Sequence, residues 1–349
     1  MLPTTRSDYS DLLLGTEPFW REHYVWLEAC GYRLRPRYHP DWVPSWITNP
    51  KKDELQCEDA LSNSKYKIMD ATRISDGTFV TLKPLDTTVH PHEIPIGLWF
   101  SEEPQASDPS NHCVPILEVL PVPDEPNRQI IVMPFLSSYD KPRFDTFGEV
   151  IEFLRQIFQG LQYMHKNNVA HRWRRRDFNS IIPVSHLTRT QKPVQYYLID
   201  FGLSRKYPPG VHAPLEPIIY GGDKSVPEFH IRPDGVQPME CDPFPTDVYY
   251  IGNVLRTDFS EGSRFVRRKL GFEFLRPLMD DMVQPDPTLR PTMDEVVERF
   301  DAIVRGLSHR KLRSRVVKAD THFNWYYAVT HWFRKVGFII RRYPAIPSY

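Results

Sequence analysis

The sequence predicts an α+β protein, strand-rich in its first part and helical in its second. Between residues 66 and 133, short runs rich in β-branched and aromatic residues are set off by turn residues, as strands are. From Thr146 onward the period changes: Val150, Ile151, Leu154, Ile157, Phe158, Leu161 and Met164 recur at helical spacing. A third pattern lies further on. Tyr196-Tyr197-Leu198-Ile199 is an apolar run closed by Asp200-Phe201-Gly202 and reads as a buried strand. Asp200 would then sit at the strand mouth, where a hard cation sharing phosphate ligands needs an oxygen donor.

Composition narrows the function classes. The chain has 349 residues, 40% hydrophobic and 25% charged, enough for one large two-lobed domain or two small ones. A formal net charge of zero gives no ground for a nucleic-acid binder. The 34 prolines, near twice the usual share of about 5%, point to long, stiff connections. Cys30, Cys57, Cys113 and Cys241 form no Cys-x-x-Cys pair, so no zinc site is expected. Their wide spacing fits free thiols in a reducing compartment, cytoplasmic or nuclear. The N-terminus shows no apolar core of a secretory signal, and no run is long enough to span a bilayer.

In chain order, residues 1–56 form an extension rich in aromatics and proline, in which Trp20, Tyr24 and Leu27 fall at helical spacing. This is read as a short helix and an arm packed on the main domain, or else as a partner-docking surface. Tyr66–Ala71 and Thr78–Lys83 flank Ser75-Asp76-Gly77, a hairpin signal. Cys113–Leu120 and Gln129–Met133 read as two more strands. Thr146-Phe147-Gly148-Glu149 has capping-box spacing and opens the long helix, and Thr292-Met293-Asp294-Glu295 opens another.

Six of these segments, in order over residues 66–305, resemble the protein-kinase family. His171-Arg172 is similar to the start of its His-Arg-Asp catalytic loop, and Asp200-Phe201-Gly202 to its metal-binding Asp-Phe-Gly. Val80-Thr81-Leu82-Lys83 is similar to its Val-Ala-Ile-Lys. Val226-Pro227-Glu228 resembles Ala-Pro-Glu, Thr246–Gly252 its Asp-containing core helix, and Arg290-Pro291 the Arg-Pro near the domain's end. With the aromatic arm before it, the arrangement looks most like a fungal group of kinase-like domains.

The resemblance implies a two-lobed kinase-like fold, with a β-rich lobe over 57–136, a helical lobe over 137–308, the extension before them and a tail over 309–349. It implies ATP and Mg2+ as cofactors and a protein Ser or Thr as substrate. Lys83 would hold the phosphates and Glu93, on the next helix, would hold Lys83; Glu102 and Glu103 are alternatives. Met133 would be the gatekeeper of a hinge that binds adenine through the Pro134 carbonyl and the Leu136 N–H. Asp200 and Asn179 would be the metal ligands. Glu228 would pair with Arg290, Asp247 would tie down the catalytic loop, and Arg172 would face the segment that follows Gly202.

Two departures matter. Trp173 stands where the catalytic Asp belongs, and the count puts Phe178 at the Asn position, with Asn179 one residue late. Residues 57–71, where a phosphate-covering loop belongs, contain no glycine. Three readings follow: a pseudokinase; a rearranged loop in which Asp177 serves as base and Asn179 reaches the metal; or a misread gene boundary around Trp173–Asp177. A purely non-catalytic scaffold with protein partners is the competing class. Arg174-Arg175-Arg176 reads as a solvated basic face or an anion site. The tail interleaves Trp325, Tyr326, Tyr327, Trp332 and Phe333 with Arg334, Lys335, Arg341 and Arg342. It is read as packed on its own domain, or as a peripheral membrane or partner contact.

Overall fold

A computed structural model describes residues 12–49, 51–62, 68–172, 187–211, 213–219, 223, 225–230, 239–264, 266–319 and 325–348. The fold is α+β: an antiparallel sheet lies in the N-terminal part and most of the helix follows it. Two compact units form. One holds the described residues up to Pro91 together with Pro115–Leu136; the other holds His92–Val114 and the described residues from Ser137 onward.

The first unit begins with helices α1 (Glu17–Glu22) and α2 (Tyr24–Ala29), strand β1 (Tyr32–Arg33) and the short helix α3 (Ser45–Thr48). The expected single helix through Trp20, Tyr24 and Leu27 is broken at His23, yet all three residues are buried. Strands β2 (Met69–Arg73) and β3 (Phe79–Asp86) follow. Later segments add β4 (Glu118–Pro121) and β5 (Arg128–Pro134) in the order β1-β2-β3-β5-β4. The segment read as an extension therefore supplies the edge strand of the sheet.

Trp20, Tyr24, Leu27, Val80, Leu82 and Ile130 share one aromatic and aliphatic core on one sheet face. A buried pair locks the segment to itself: Arg37 donates to Glu17 at 3.2 and 3.1 Å, and Tyr38 Oη donates to Glu17 at 3.0 Å. A charge this deep persists only when paired. The Asp76-Gly77 turn forms as the sequence implies. Gly77 takes φ +72°, and Asp76 Oδ1 accepts from the N–H and hydroxyl of Thr78.

In the second unit, α4 (Glu93–Ser101) precedes the long helix α5 (Phe147–Lys166). Strands β6 (Val169–Ala170) and β7 (Arg205–Lys206) pair, as do β8 (Glu216–Pro217) and β9 (Glu240–Cys241). Helices α6 (Pro243–Val254), α7 (Arg276–Met282), α8 (Met293–Arg305), α9 (His309–Leu312) and α10 (Trp325–Ile340) complete it. Helix α5 buries its apolar stripe, and Phe158 meets Phe300 of α8 edge-on at 5.0 Å.

Three local expectations need correction. Thr146 caps α5 by accepting from Glu149 N at 3.2 Å, but the reciprocal arm is diverted: Glu149 accepts from Asp145 N and from Thr190. The Thr292–Glu295 box is complete. The run Cys113–Leu120 is a strand only from Glu118, because Pro115 has no N–H for a ladder. The run Tyr196–Ile199 makes a single parallel bridge, Leu198 to Cys113. It stops where Asp200 turns the backbone to φ +70°.

Candidate functional site

The structure places the candidate residues on separate units. In the first unit, Lys83 lies inside β3 rather than at a strand end and is buried. Its register partner is Ile131, while Thr81 pairs with Met133. Directly opposed residues share a face, so Lys83 and Met133 stand on the sheet face turned away from the Val80–Leu82 core. Pro134 ends β5, opposite Val80. Leu136, half-buried, is the last residue of the unit.

In the second unit, Glu93 opens α4, with Pro95 tolerated two residues later. Glu93, Ile96, Gly97 and Phe100 are all buried at i, i+3, i+4 and i+7, one stripe of the helix. That stripe meets the Asp200 turn: the Phe100 and Phe201 rings lie 6.2 Å apart. Phe201 in turn meets the His171 ring at 5.6 Å. Glu102 only ends the helix, and Glu103 lies beyond it. Asp200 holds a left-handed backbone that non-glycine residues seldom adopt, a geometry common at functional turns.

The segment leading to residue 173 is pinned from several sides. The Asp247 carboxylate, 1% exposed, accepts from the backbone N–H of both His171 and Arg172 at 2.6 Å. It also lies 3.2 Å from His165 Nε2. Asp247 reaches this position because α6 is started upstream by Asp242, which accepts from Phe244 N, and by Pro243 at its first turn. Ser204 Oγ donates to the His171 carbonyl at 2.9 Å. Arg172, itself at φ +58°, donates to Glu216 at 3.1 Å and to the Pro217 carbonyl at 2.5 Å. Arg205 approaches the same Glu216 carboxylate at 3.6 Å. Sequence reasoning missed Glu216; nothing in its local spacing announces it. Phe100 was legible in principle from the α4 stripe.

Further along, Glu228 and Arg290 form a two-pronged pair at 2.8 and 2.6 Å, with the Arg290 side chain 0% exposed. Trp173, Arg174–Arg176, Asp177, Phe178 and Asn179 lie outside the described residues, as does part of the glycine-free stretch 57–71. Among the described residues, no group of three or more His, Cys, Asp or Glu side chains is placed to hold a metal ion. Of the two candidate metal ligands, Asp200 is among the described residues and Asn179 is not. A cleft of about 360 Å³, lined by Gln162, Lys166, Phe244, Arg290 and Asp294 among others, contains none of the candidate catalytic, nucleotide-binding or metal-binding residues.

The electrostatics around His171 give a pH dependence. Burial pushes its imidazole below the ordinary histidine range, against the pull of Asp247 and Asp200. His112 is lowered by burial too. The folded state thus keeps neutral rings. As pH falls below about 6.5 the unfolded chain takes up protons that the folded state refuses, and stability declines. Glu228 adds to this at lower pH. Burial raises its pKa, but the hydrogen bond and charge of Arg290 more than offset that and leave it below the usual range. Its contribution is lost as pH falls through the carboxylate range. The thermal midpoint is expected to drop between pH 7 and pH 5, and His171→Gln to flatten that slope in part. An unchanged slope in the variant would remove His171 from the account.

No protein-family model matches the chain, and no curated protein matches it in sequence.

Proposed function

We propose that the chain is a protein-kinase-like domain of two lobes that binds ATP with magnesium and transfers phosphate to a protein Ser or Thr slowly, as an impaired kinase or pseudokinase. The observation that carries this reading is the Asp247 clamp. One buried carboxylate fixes both backbone N–H groups at the start of the segment that must present a catalytic loop. The Phe100–Phe201–His171 contacts support it by joining the Asp200 turn to the same residues.

The roles follow by resemblance. Asp200 would hold the metal with Asn179, and Lys83 the phosphates with Glu93 beside it. Met133, Pro134 and Leu136 would receive the adenine. Magnesium, when bound, would neutralise the charge that builds on the transferring phosphoryl group. The chain's own share is positioning: the Asp247 clamp and the Arg172–Glu216 pair hold the loop's start and the following segment in one geometry. Glu216 supplies a carboxylate partner for Arg172 within that segment. Trp173 cannot accept a proton. Without a base the rate falls by about 10²–10⁴-fold; in the rearranged reading Asp177 would restore one. The partner class is protein rather than nucleic acid. The four unpaired cysteines support a cytoplasmic or nuclear setting.

The test is phosphate transfer from labelled ATP and magnesium, to the protein itself and to a generic protein substrate. The wild type is expected to transfer slowly, and Asp200→Asn to fall to background with an unchanged melting curve. Asp177→Asn then reports whether the displaced Asp is the base. Equal silence of wild type and Asp200→Asn would favour the second reading, the non-catalytic scaffold, which Trp173 itself favours.

A further inference from the structure

Helix α10 has two faces, and only one of them packs. His331 and Phe338 are buried; His331 Nδ1 lies 3.2 Å from Asp145, and Arg334 reaches the same carboxylate at 3.0 Å. This fixes the helix to its own unit, as one reading of the tail expects. The opposite face carries Trp325, Val329, Trp332, Phe333, Ile339 and Ile340. At 100° per residue they fall within an arc of about 120° that holds no charged residue. All six are exposed, Trp325 at 67%, Phe333 at 64% and Ile340 at 74%. An isolated exposed aromatic is ordinary, but a whole helix face of them marks a contact.

Charge indicates what covers it. Residues 309–349 hold nine Lys or Arg and one Asp, a net of +8, in a chain whose formal net charge is zero. Among the described residues, Lys335, Arg341 and Arg342 have no carboxylate within ion-pair distance. On the helical wheel Lys335 flanks the apolar arc, and Arg341 and Arg342 follow directly after the helix. Aromatic rings flanked by cations suit the boundary between acyl chains and anionic headgroups, where tryptophan settles and long basic side chains reach outward. Among the described residues no helix is long and apolar enough to cross a membrane, so the helix would lie in the surface plane.

We propose that the outer face of α10 is a docking surface for an anionic lipid bilayer, with the Trp325–Ile340 apolar arc entering the interface and the basic tail engaging acidic headgroups. This is independent of the phosphotransfer reading.

The test is co-sedimentation of the full chain with vesicles of phosphatidylcholine alone or with about 30% phosphatidylserine. Binding is expected to be at least about tenfold stronger with phosphatidylserine and to weaken in high salt. Trp325→Ser with Trp332→Ser and Phe333→Ser is expected to abolish it, with the melting curve unchanged because these side chains are exposed. Lys335→Glu with Arg341→Glu and Arg342→Glu is expected to remove the preference for acidic lipid. Absence of vesicle binding, or equal binding to both vesicle types, overturns the proposal. So does a wild-type dimer that the serine variant converts to monomer without any vesicle binding, which would assign the face to a second copy of the chain.

Discussion

Arg290→Ala is expected to destabilise the second unit by about 3 kcal/mol, because it leaves the largely covered Glu228 carboxylate, 9% exposed, with the Thr246 hydroxyl but without its cation. Arg290 uses its whole donor set. It gives two bonds to Glu228, one to the Gln284 carbonyl at 2.8 Å, one to Pro245 at 3.0 Å and one to Pro285 at 3.4 Å. Lysine has three donors on one point charge and cannot reproduce that fork, so Arg290→Lys should lose most of the same stability. The double variant Glu228→Gln with Arg290→Met removes both charges and should cost less than Arg290→Ala alone. Urea unfolding of the three variants checks this. A loss below about 1 kcal/mol for Arg290→Ala would show the pair behaving as an exposed one.

The second large effect belongs to Asp247. Asp247→Ala orphans the backbone N–H groups of His171 and Arg172 inside the protein. Each unsatisfied group costs about 1–3 kcal/mol, so a loss of about 2–6 kcal/mol is expected. Asp247→Asn keeps one carbonyl oxygen but brings an amide N–H₂ toward a donor, and should lose roughly half as much. Thermal unfolding gives the stability term. The same variants should lower any phosphate transfer more than Arg290→Lys does, since the clamp sits at the loop's start. If Asp247→Asn melts like the wild type and transfers phosphate equally, the clamp has no positioning role.

Both sites show how far the sequence could be read. The capping threonines, the long helix through Val150 and Met164, and the Asp76-Gly77 turn were legible because each is a local matter of period or turn chemistry. The pairing of Glu228 with Arg290 and the reach of Asp247 to residues 171 and 172 came from resemblance, since 62 and about 75 residues separate the partners. Glu216 was not legible by either route: its meeting with Arg172 depends on where the β8–β9 pair sits. Of the candidate residues, Lys83 and Met133 share one sheet face, and the α4 stripe begun by Glu93 meets the turn made by Asp200. Asp177 and Asn179 fall outside the described residues.

The sequence by itself determined that the first part is strand-rich and the second helical, where the two principal helices α5 and α8 start, and which chemistry-bearing side chains the chain carries. Period-2 and period-3.6 patterns and caps act over a few residues and need no knowledge of the fold. Tertiary structure decided the rest. It made the N-terminal aromatic segment part of the sheet's core. It ended the Tyr196–Ile199 run at the left-handed Asp200 after a single bridge. It turned Lys83 from a strand-end residue into a buried one, and it chose which face of α10 is covered. Each of these depends on partners far away in the chain, which come together only once the entropy of closing long loops has been offset by burial.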